Sequence, residues 1–225
     1  MICYCCGSSQ FGHQNVLWKE LIDEWRITPY EVEYINKQQG LHCIDCHSNF
    51  RSMGLAMSIM KCFGYGGVFK DFVQEKKSQD LQILEINEAG NLTQFFRQLP
   101  GHYLKVYPEI DMMNMDLADM SFDLVVHSDV LEHIKYPIRG LSECHRVLKP
   151  GGYCAFTVPI IVDRLTVSRD GFPPSYHGSG ENRADFLVHT EYGCDAWKHV
   201  MQAGFQECRI FSLQYPSCHA LVGVK

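Results

Sequence analysis

Four of the eleven cysteines form two closely spaced pairs that could bind a metal ion. Each pair is a C-x-x-C motif, and the two motifs are about forty residues apart. Four thiolates in a tetrahedral array suit Zn²⁺, and paired motifs of this kind are typical of zinc ribbons. We therefore expect a structural Zn²⁺ with the ligands Cys3, Cys6, Cys43 and Cys46. Cys5 could replace a neighbouring ligand, and free thiols in a reducing compartment are the alternative.

A second group of polar residues follows two apolar segments that have the composition of strands. The first segment, residues 81–86, ends in a turn of residues 87–91, and the second, residues 122–127, is followed by Ser128 and Asp129. In open parallel sheets, ligands bind beyond the carboxyl ends of the strands, where neighbouring loops diverge. These residues therefore predict a binding crevice at one edge of a sheet. Ser128 and Asp129 could also simply cap the next helix.

Strands and helices alternate from Leu81 onward, which predicts a parallel sheet built from βαβ units. The helix predicted over residues 137–147 ends at Lys149-Pro150-Gly151-Gly152. The last two predicted strands, residues 206–213 and 219–224, leave no room for a helix between them. We expect those two strands to pair as an antiparallel hairpin.

The segment between the two cysteine motifs has residue patterns that are typical of helices. Trp18, Leu21 and Trp25 follow the spacing of one helical face, and Thr28-Pro29-Tyr30-Glu31 has the pattern of a capping box with proline at the first helical position. Residues 52–76 are expected to be a helical or irregular connection. The charged residues that follow place a boundary between an N-terminal zinc-binding and helical module, residues 1–76, and a second domain, residues 77–225.

Composition narrows the class of protein. Hydrophobic residues make up 46% of the chain and charged residues 20%, which is usual for an ordered globular protein. The net charge of −6 argues against a nucleic-acid partner, because such proteins concentrate Lys and Arg on one face. The sequence has no apolar run of membrane-spanning length and opens without a secretory signal, so we expect a cytoplasmic protein with no membrane partner.

Two motifs carry a resemblance to a known family. Residues 121–133, SFDLVVHSDVLEH, and residues 143–152, ECHRVLKPGG, resemble the fourth strand, its loop and the next helix of class I S-adenosylmethionine (SAM)-dependent methyltransferases of the type 11 branch. Ala203-Gly204-Phe205 is similar to the end of that family's last helix. The resemblance covers about residues 80–225. It implies a Rossmann-like, mostly parallel α/β sheet with a C-terminal antiparallel hairpin, and an enzyme that takes its methyl group from SAM.

The resemblance also implies a set of cofactor-binding residues. It assigns SAM to Glu85, Asn87, Gly90, Glu109, Asp116, Leu117, His127, Ser128 and Asp129. The chain departs from the family in the turn after the first strand, where Asn87, Ala89 and Asn91 occupy the usual glycine positions. Asn tolerates left-handed backbone and Ala is small, so we expect the turn to persist in altered form.

The family's second and third strands supply the remaining cofactor contacts. Glu109 is the substitute for the carboxylate that usually binds the ribose hydroxyls, and Asp116 is the counterpart of the Asp that receives the adenine amino group at the end of the third strand. Asp111 is the competing residue for the adenine contact. Only residues 108–112 separate the second strand from Met113, so the usual intervening helix has no room to form.

The acceptor side is expected in the long segment of residues 159–189, which we predict to be a substrate lid. His177 is the first choice of general base because the unperturbed pKa of histidine lies near working pH, and His133 and His189 follow. Arg164, Tyr176 and Arg183 are the predicted substrate-binding residues.

A small polar acceptor suits an acidic protein, and O-methylation of a sugar or other metabolite is the favoured reaction. The alternatives are a nucleic-acid or protein methyltransferase that grips its substrate through the zinc module, and a non-catalytic scaffold. The sequence leaves the acceptor atom and the oligomeric state open.

Overall fold

The protein has a Rossmann-like α/β fold, as predicted, in a computed structural model that describes residues 1–177 and 184–225. The strands in chain order are β1 (Phe11–Gly12), β2 (His42–Cys43), β3 (Ile83–Ile86), β4 (His102–Lys105), β5 (Phe122–Ser128), β6 (Leu148–Thr157), β7 (Ile160–Ile161), β8 (Val167–Ser168), β9 (Thr190–Gly193), β10 (Glu207–Leu213) and β11 (Cys218–Val224). The helices are α1 (Lys19–Glu24), α2 (Pro29–Gly40), α3 (Phe50–Cys62), α4 (Phe69–Phe72), α5 (Lys76–Gln79), α6 (Thr93–Phe96), α7 (Pro137–Val147) and α8 (Trp197–Gln202).

The central sheet has the strand order β10-β11-β6-β5-β3-β4. Strands β6, β5, β3 and β4 are parallel, whereas β11 is antiparallel to both β6 and β10. The C-terminal hairpin is therefore confirmed. Ile86 pairs with His127 at the carboxyl ends of β3 and β5, so the two predicted crevice segments lie side by side. This is the geometry that an open parallel sheet uses to bind a ligand.

Alternating side chains of the central strands enter two cores on opposite faces of the sheet. Leu124 and Val126 of β5 join a core with α3, α4 and α6, whereas Val125 joins a core with α7 and α8. Both cores consist of fully buried aliphatic and aromatic side chains. A parallel strand buried on both faces explains why residues 122–127 read as an almost continuous apolar run.

Helix α3 is the main element that the sequence did not specify, since residues 52–76 were expected to be a helical or irregular connection. Asn49 is the N-cap of this helix, and its side chain accepts a hydrogen bond from Ser52 N at 2.9 Å. It packs closely on β11, because a Cβ at Gly54 would lie 2.3 Å from Cys218 Sγ. The core beneath α3 also contains the N-terminal cysteines, so the cysteine region and the sheet share one apolar cluster. The domain boundary after residue 76 stays a prediction.

Helices α1 and α2 lie beside the segment that follows β6. The capping box at the start of α2 is confirmed: Thr28 accepts from Glu31 N, and the Glu31 carboxylate accepts from Thr28 N at 2.7 Å. The segment after β6 forms a small sheet with the strand order β7-β9-β8. Among the described residues, no helix is both long enough and apolar enough to cross a membrane.

The chain between β4 and β5 differs from one expectation. The resemblance placed Asp116 at the end of a third strand, but the described chain forms no strand between β4 and β5. The backbone there is bound by a side chain instead, since the Arg146 guanidinium of α7 donates to Met115 O and Leu117 O at 2.8 and 2.7 Å. Residues 106–121 are consequently a loop fixed to α7. The intervening helix is absent there, as predicted.

Candidate functional site

The turn after β3 keeps a left-handed backbone although it lacks the usual glycines. Asn87 has φ +53° and Gly90 has φ +58°. The Asn87 side chain accepts a hydrogen bond from Tyr107 N at 2.9 Å, which ties the turn to the end of β4. Asparagine is one of the few residues that adopts this conformation at low cost. The turn therefore persists in altered form, as expected from its composition.

Glu85 shapes this turn from beneath rather than facing solvent. Its carboxylate is fully buried and accepts hydrogen bonds from Ala89 N at 2.8 Å and Thr93 Oγ1 at 2.6 Å. His102 Nε2 lies 2.6 Å from the other carboxylate oxygen. These partners belong to the turn, to α6 and to β4, so Glu85 positions the turn against its neighbours and is itself shielded from any ligand.

A cavity of about 330 Å³ lies over the turn, and we name it the turn cavity. It is lined by Gln14, Gln39, His42, His47, Asn49, Ser52, Gly90 and Asn91. Glycine is favoured at residue 90 by its left-handed backbone, and a Cβ there would lie 2.7 Å from Ser52 Oγ, so the serine side chain would have to move. Asn91 donates to His47 O, and the Tyr107 side chain is 64% exposed, so neither fills the cavity. The N-terminal region and α3 supply most of the wall.

The end of β5 carries a half-buried ion pair that the sequence gave no reason to expect. Asp129, with φ +51°, pairs with Arg51 of α3, and Arg51 also donates to Gln39 Oε1 at 2.6 Å. Asp129 Oδ1 and Arg51 Nε have no hydrogen-bond partner within the described chain. Burial lowers the pKa of Arg51 to about 10. Ser128 beside them is bonded to Thr157 Oγ1 at 2.8 Å.

A second cavity, of about 390 Å³, lies on the other side of this ion pair, and we name it the indole cavity. Its lining is mostly apolar and consists of Val16, Leu17, Trp18, Leu21, Trp25, Ile27, Ile35, Gln38, Gln39, Asp129, Pro159, Ile160, Ile161 and His177. Gln39 lines both cavities. Trp25 is held by a hydrogen bond from its Nε1 to Ser175 Oγ at 2.8 Å. The predicted lid therefore supplies one wall, and α1 and α2 supply the roof.

Two of the three candidate bases lie together. The rings of His133 and His177 are 4.9 Å apart, and both are next to the buried Glu132. Burial lowers the pKa of His177 to about 3 and also lowers that of His133, whereas burial raises the pKa of Glu132 to about 7. His189 is outside this group, and its backbone N donates to Glu132 O at 2.8 Å.

Several predicted cofactor residues lie away from both cavities. His127 is fully buried in the core facing α7, where its ring stacks on Phe156 at 4.8 Å. Glu109 forms an exposed ion pair with Lys105. Asp116 is exposed on the loop after β4, and the Leu117 carbonyl is occupied by Arg146.

The predicted substrate-binding residues also have other surroundings. Arg164 donates twice to the Glu31 carboxylate, at 2.9 and 2.8 Å, and to the carbonyls of Trp25 and Arg26. It thereby joins the segment after β6 to α2, and it lines neither cavity. Tyr176 forms a backbone bridge with Leu187. Arg183 lies outside the described residues.

The loop that replaces the third strand yields a pH-dependent prediction. The Arg146 guanidinium, by hydrogen bonds at 2.8 and 2.9 Å, holds the pKa of Glu143 below its ordinary value despite partial burial. A carboxylate whose pKa is lower in the folded than in the unfolded state stabilises the fold fully above the unfolded pKa of about 4.3. This contribution is lost as the pH falls from there through the folded-state pKa. Glu143→Gln should cost about 1–2 kcal/mol at neutral pH.

Urea denaturation between pH 7 and pH 3 tests this expectation. The difference between wild type and Glu143→Gln should shrink as the pH falls through the acid range. Glu88→Gln is the matched control, because Glu88 is 61% exposed and its ion pair with Arg97 is at the surface. A difference for Glu143→Gln that stays constant down to pH 3 would contradict the assignment.

The four paired cysteines converge as their spacing predicted. The Sγ atoms of Cys3 and Cys46 are 3.6 Å apart, and so are those of Cys6 and Cys43. All four sulfur atoms lie within 4.8 Å of one another. The edge of a tetrahedron with metal–sulfur bonds of about 2.3 Å is about 3.8 Å, so the group has the size of a Zn²⁺ site. Cys5 is buried beside these four.

Known proteins resemble the region that contains the turn and the end of β5. Residues 64–156 match the family model Methyltransf_11, described as a methyltransferase domain. A curated protein of Mycolicibacterium smegmatis, named "Probable S-adenosylmethionine-dependent methyltransferase", is 38% identical over 73 residues. The match covers 30% of this chain and 27% of that protein.

Solved structures of methyltransferases show weaker similarity. A SAM-dependent methyltransferase of Mesorhizobium loti is 13% identical with a TM-score of 0.41, covering 64% of this chain and 91% of that one. One from Methanosarcina mazei is 14% identical with a TM-score of 0.41, covering 65% and 93%.

The family match has a definite extent within the fold. It includes β3 to β6 and the ion-pair residue Asp129, but it excludes the four paired cysteines and helices α1, α2 and α3. Most of the wall of the turn cavity and the roof of the indole cavity come from those excluded elements. Much of the lining of both cavities therefore lies outside the matched segment.

Proposed function

We propose that this protein transfers a methyl group from SAM to a hydroxyl group of a small acceptor. The observation that carries the proposal is the open turn cavity at the carboxyl end of β3. Gly90 and Asn91 of its lining belong to the segment that matches a methyltransferase domain, and the other lining residues precede that segment. The turn has the left-handed conformation that the family obtains with glycine, and it leaves a polar hollow beside the end of β5. A non-catalytic scaffold would have no reason to keep this hollow open.

The turn cavity fits SAM in size and character. Its volume of about 330 Å³ is within the range of small-molecule sites, and its lining is rich in amide and hydroxyl groups. Gly90 is the clearest feature, because any side chain there would collide with Ser52 and narrow the cavity. Arg51 and Asp129 pair with each other outside the lining of this cavity, and Gln39, which accepts a hydrogen bond from Arg51, connects the pair to the cavity.

SAM supplies an already activated methyl group, so the protein's main task is alignment of the acceptor. Gln39 lines both cavities and is bonded to the Arg51–Asp129 pair. These three residues would therefore control the opening between the turn cavity and the indole cavity. Helices α1 and α2 would close the indole cavity from water. His177, the first-choice base, lines that cavity, but burial lowers the pKa of its ring to about 3, so the ring is a weak proton acceptor.

The lining of the indole cavity refines the acceptor class. Most of its side chains are aliphatic or indole groups, with polar groups contributed by Gln38, Gln39, Asp129 and His177. A fully hydroxylated sugar would leave many of its polar groups without partners in such a site. We therefore propose an acceptor with a flat or apolar body that carries a hydroxyl, and O-methylation as the reaction.

We also propose that the cysteine group binds a structural Zn²⁺ and that the protein works in a reducing cytoplasm. Support for zinc comes from the convergence of four thiols at tetrahedral spacing. The group lies beneath the wall of the turn cavity, since His42 and His47 flank two of its cysteines and line that cavity. Zinc would thus hold the cavity wall in place without taking part in the chemistry.

Calorimetric titration with SAM and with its demethylated product tests the proposal. Wild type should bind both, and Gly90→Val should bind at least ~10-fold more weakly, because a side chain at this left-handed position narrows the cavity and costs about 1–2 kcal/mol of strain. Gly151→Val is the matched control, since Gly151 is also left-handed, with φ +77°, but has open space around it. Absence of binding to wild type at millimolar ligand would contradict the proposal and favour a scaffold.

Transfer of a labelled methyl group identifies the acceptor. Hydroxyl-bearing aromatic or aliphatic compounds should accept label, and RNA or protein should not. Label found only on RNA or protein would overturn the small-molecule proposal while leaving SAM binding intact.

A further inference from the structure

Three groups that can bind a metal ion converge next to the indole cavity, apart from the cysteines. Glu132 and His133 come from the short 3-10 turn after β5, Leu131–His133, and His177 comes from the segment after β6. One ligand atom of each lies within 4.8 Å of the others. Three atoms at such separations can share one cation.

The Glu132 side chain is the strongest sign that something is bound here. It is 1% exposed, and neither carboxylate oxygen has a hydrogen-bond partner within the described chain. His133 Nε2 lies 3.8 Å from Oε1, which is too far for a hydrogen bond, and the Arg51 guanidinium acts on this carboxylate only through its charge. Leaving a buried carboxyl group without a partner is costly, so the site calls for a ligand of positive charge.

His133 is already oriented as metal-binding histidines are. Its Nδ1 is 3.0 Å from Leu187 O, so Nδ1 carries the proton and donates to this carbonyl. Nε2, which lies 3.8 Å from Glu132 Oε1, then carries the lone pair that could bind an ion. A backbone carbonyl that fixes one ring nitrogen while the other binds the ion is the usual outer support of a histidine ligand.

His177 connects the group to the acceptor side. Its ring is 4.9 Å from that of His133 and 6.0 Å from that of Trp25, and it lines the indole cavity. An ion held by these three residues would keep open coordination positions toward that cavity. Asp129, which has an unpartnered Oδ1, lines the same cavity.

We propose that Glu132, His133 and His177 bind a divalent metal ion of the first transition series that holds the acceptor hydroxyl. Two imidazoles and one carboxylate suit Mn²⁺, Fe²⁺, Co²⁺ or Zn²⁺ better than Mg²⁺ or Ca²⁺. The metal lowers the pKa of a bound hydroxyl: the O–H bond breaks, its proton passes to solvent water, and the oxygen keeps the electron pair. The inference rests on the proposed methyl transfer for its role, but the binding site stands on its own geometry.

A titration of zinc-loaded protein with Mn²⁺ tests the site. Electron paramagnetic resonance measures the concentration of Mn²⁺ that stays free, and the bound amount is the difference. Mn²⁺ is chosen because thiolates bind it poorly, so it reports on nitrogen and oxygen ligands. Wild type should bind one Mn²⁺ per chain. Glu132→Gln and His177→Gln should each weaken Mn²⁺ binding at least ~10-fold. His145→Gln on α7 is the matched control and should bind as wild type does.

SAM titration of the same variants separates this inference from the proposed function. Both variants should keep the wild-type SAM affinity, which also shows that they are folded. If wild type binds neither Mn²⁺ nor a second equivalent of Zn²⁺, or if Glu132→Gln binds Mn²⁺ like wild type, the metal site is wrong whatever SAM does. Loss of SAM binding with Mn²⁺ binding retained would overturn the proposed function and leave the metal site.

Discussion

Removal of zinc should unfold more than the cysteine region. The sulfur atoms of Cys3, Cys6, Cys43 and Cys46 belong to the same apolar cluster as α3 and one face of the central sheet. Structural zinc contributes about 10–16 kcal/mol of apparent binding free energy in zinc-finger peptides, which exceeds the stability of many whole domains. Cys43→Ser should therefore lower the urea midpoint strongly. It should also abolish SAM binding, because His42 and His47, which line the turn cavity, are the neighbours of Cys43 and Cys46 in the chain.

Near-ultraviolet circular dichroism and zinc analysis measure this effect. Wild type treated with a chelator should lose its aromatic signal together with about one equivalent of zinc, and Cys43→Ser should purify with less than one equivalent. Cys194→Ser is the matched control, because Cys194 is exposed and outside the cluster. Complete loss of zinc with an unchanged urea midpoint would show that the four thiols are not a structural site.

Local sequence patterns predicted the elements that carry their own signals. Helix α7 begins and ends at the predicted residues, Pro137 and Val147, and the α2 capping box has both of its hydrogen bonds. The buried strand β5 and the C-terminal hairpin also followed from apolar runs and connection length. Each of these features depends on neighbours within a few positions, which is the range over which a sequence pattern is informative.

Features that depend on distant partners could not be read from the sequence. Arg164 was predicted to bind substrate because it is a cation in a long segment, but its partner Glu31 is 133 positions away. Arg51 and Gln39 stand between the two cavities only because α3 and α2 pack against the carboxyl end of the sheet. No spacing rule links these residues to Asp129.

The sequence marked Glu132 only as a member of a motif and His133 as a candidate base. Their capacity to bind a metal ion becomes visible only when their burial and partners are known. The sequence does not record whether a carboxylate is solvated or buried without a partner. His177 joins them through a segment whose length varies freely in such folds. The residue that the sequence offered as a base is thus proposed as a metal ligand, and a ring nitrogen that binds a metal cannot also accept a proton.

Replacing Glu85 with alanine should have the second large effect, on stability and SAM binding together. The substitution leaves two buried donors without an acceptor, Ala89 N and the His102 ring, whereas Thr93 Oγ1 can still donate to Gly90 O. Each unsatisfied buried donor costs about 1–3 kcal/mol, so we expect the free energy of unfolding to fall by about 2–6 kcal/mol. The turn that bounds the turn cavity would lose its anchor.

Urea denaturation and SAM titration of Glu85→Ala and Glu88→Ala separate these effects. Glu88 is three positions away in the same turn, but its carboxylate is exposed and pairs only with the exposed Arg97, so its removal should change neither property appreciably. Glu85→Gln keeps one acceptor oxygen and should fall between wild type and Glu85→Ala. If Glu85→Ala bound SAM as wild type does, the turn would hold its shape without the carboxylate. Glu85 would then have to be assigned to stability alone, because a residue that positions the cofactor turn cannot be removed without loosening it.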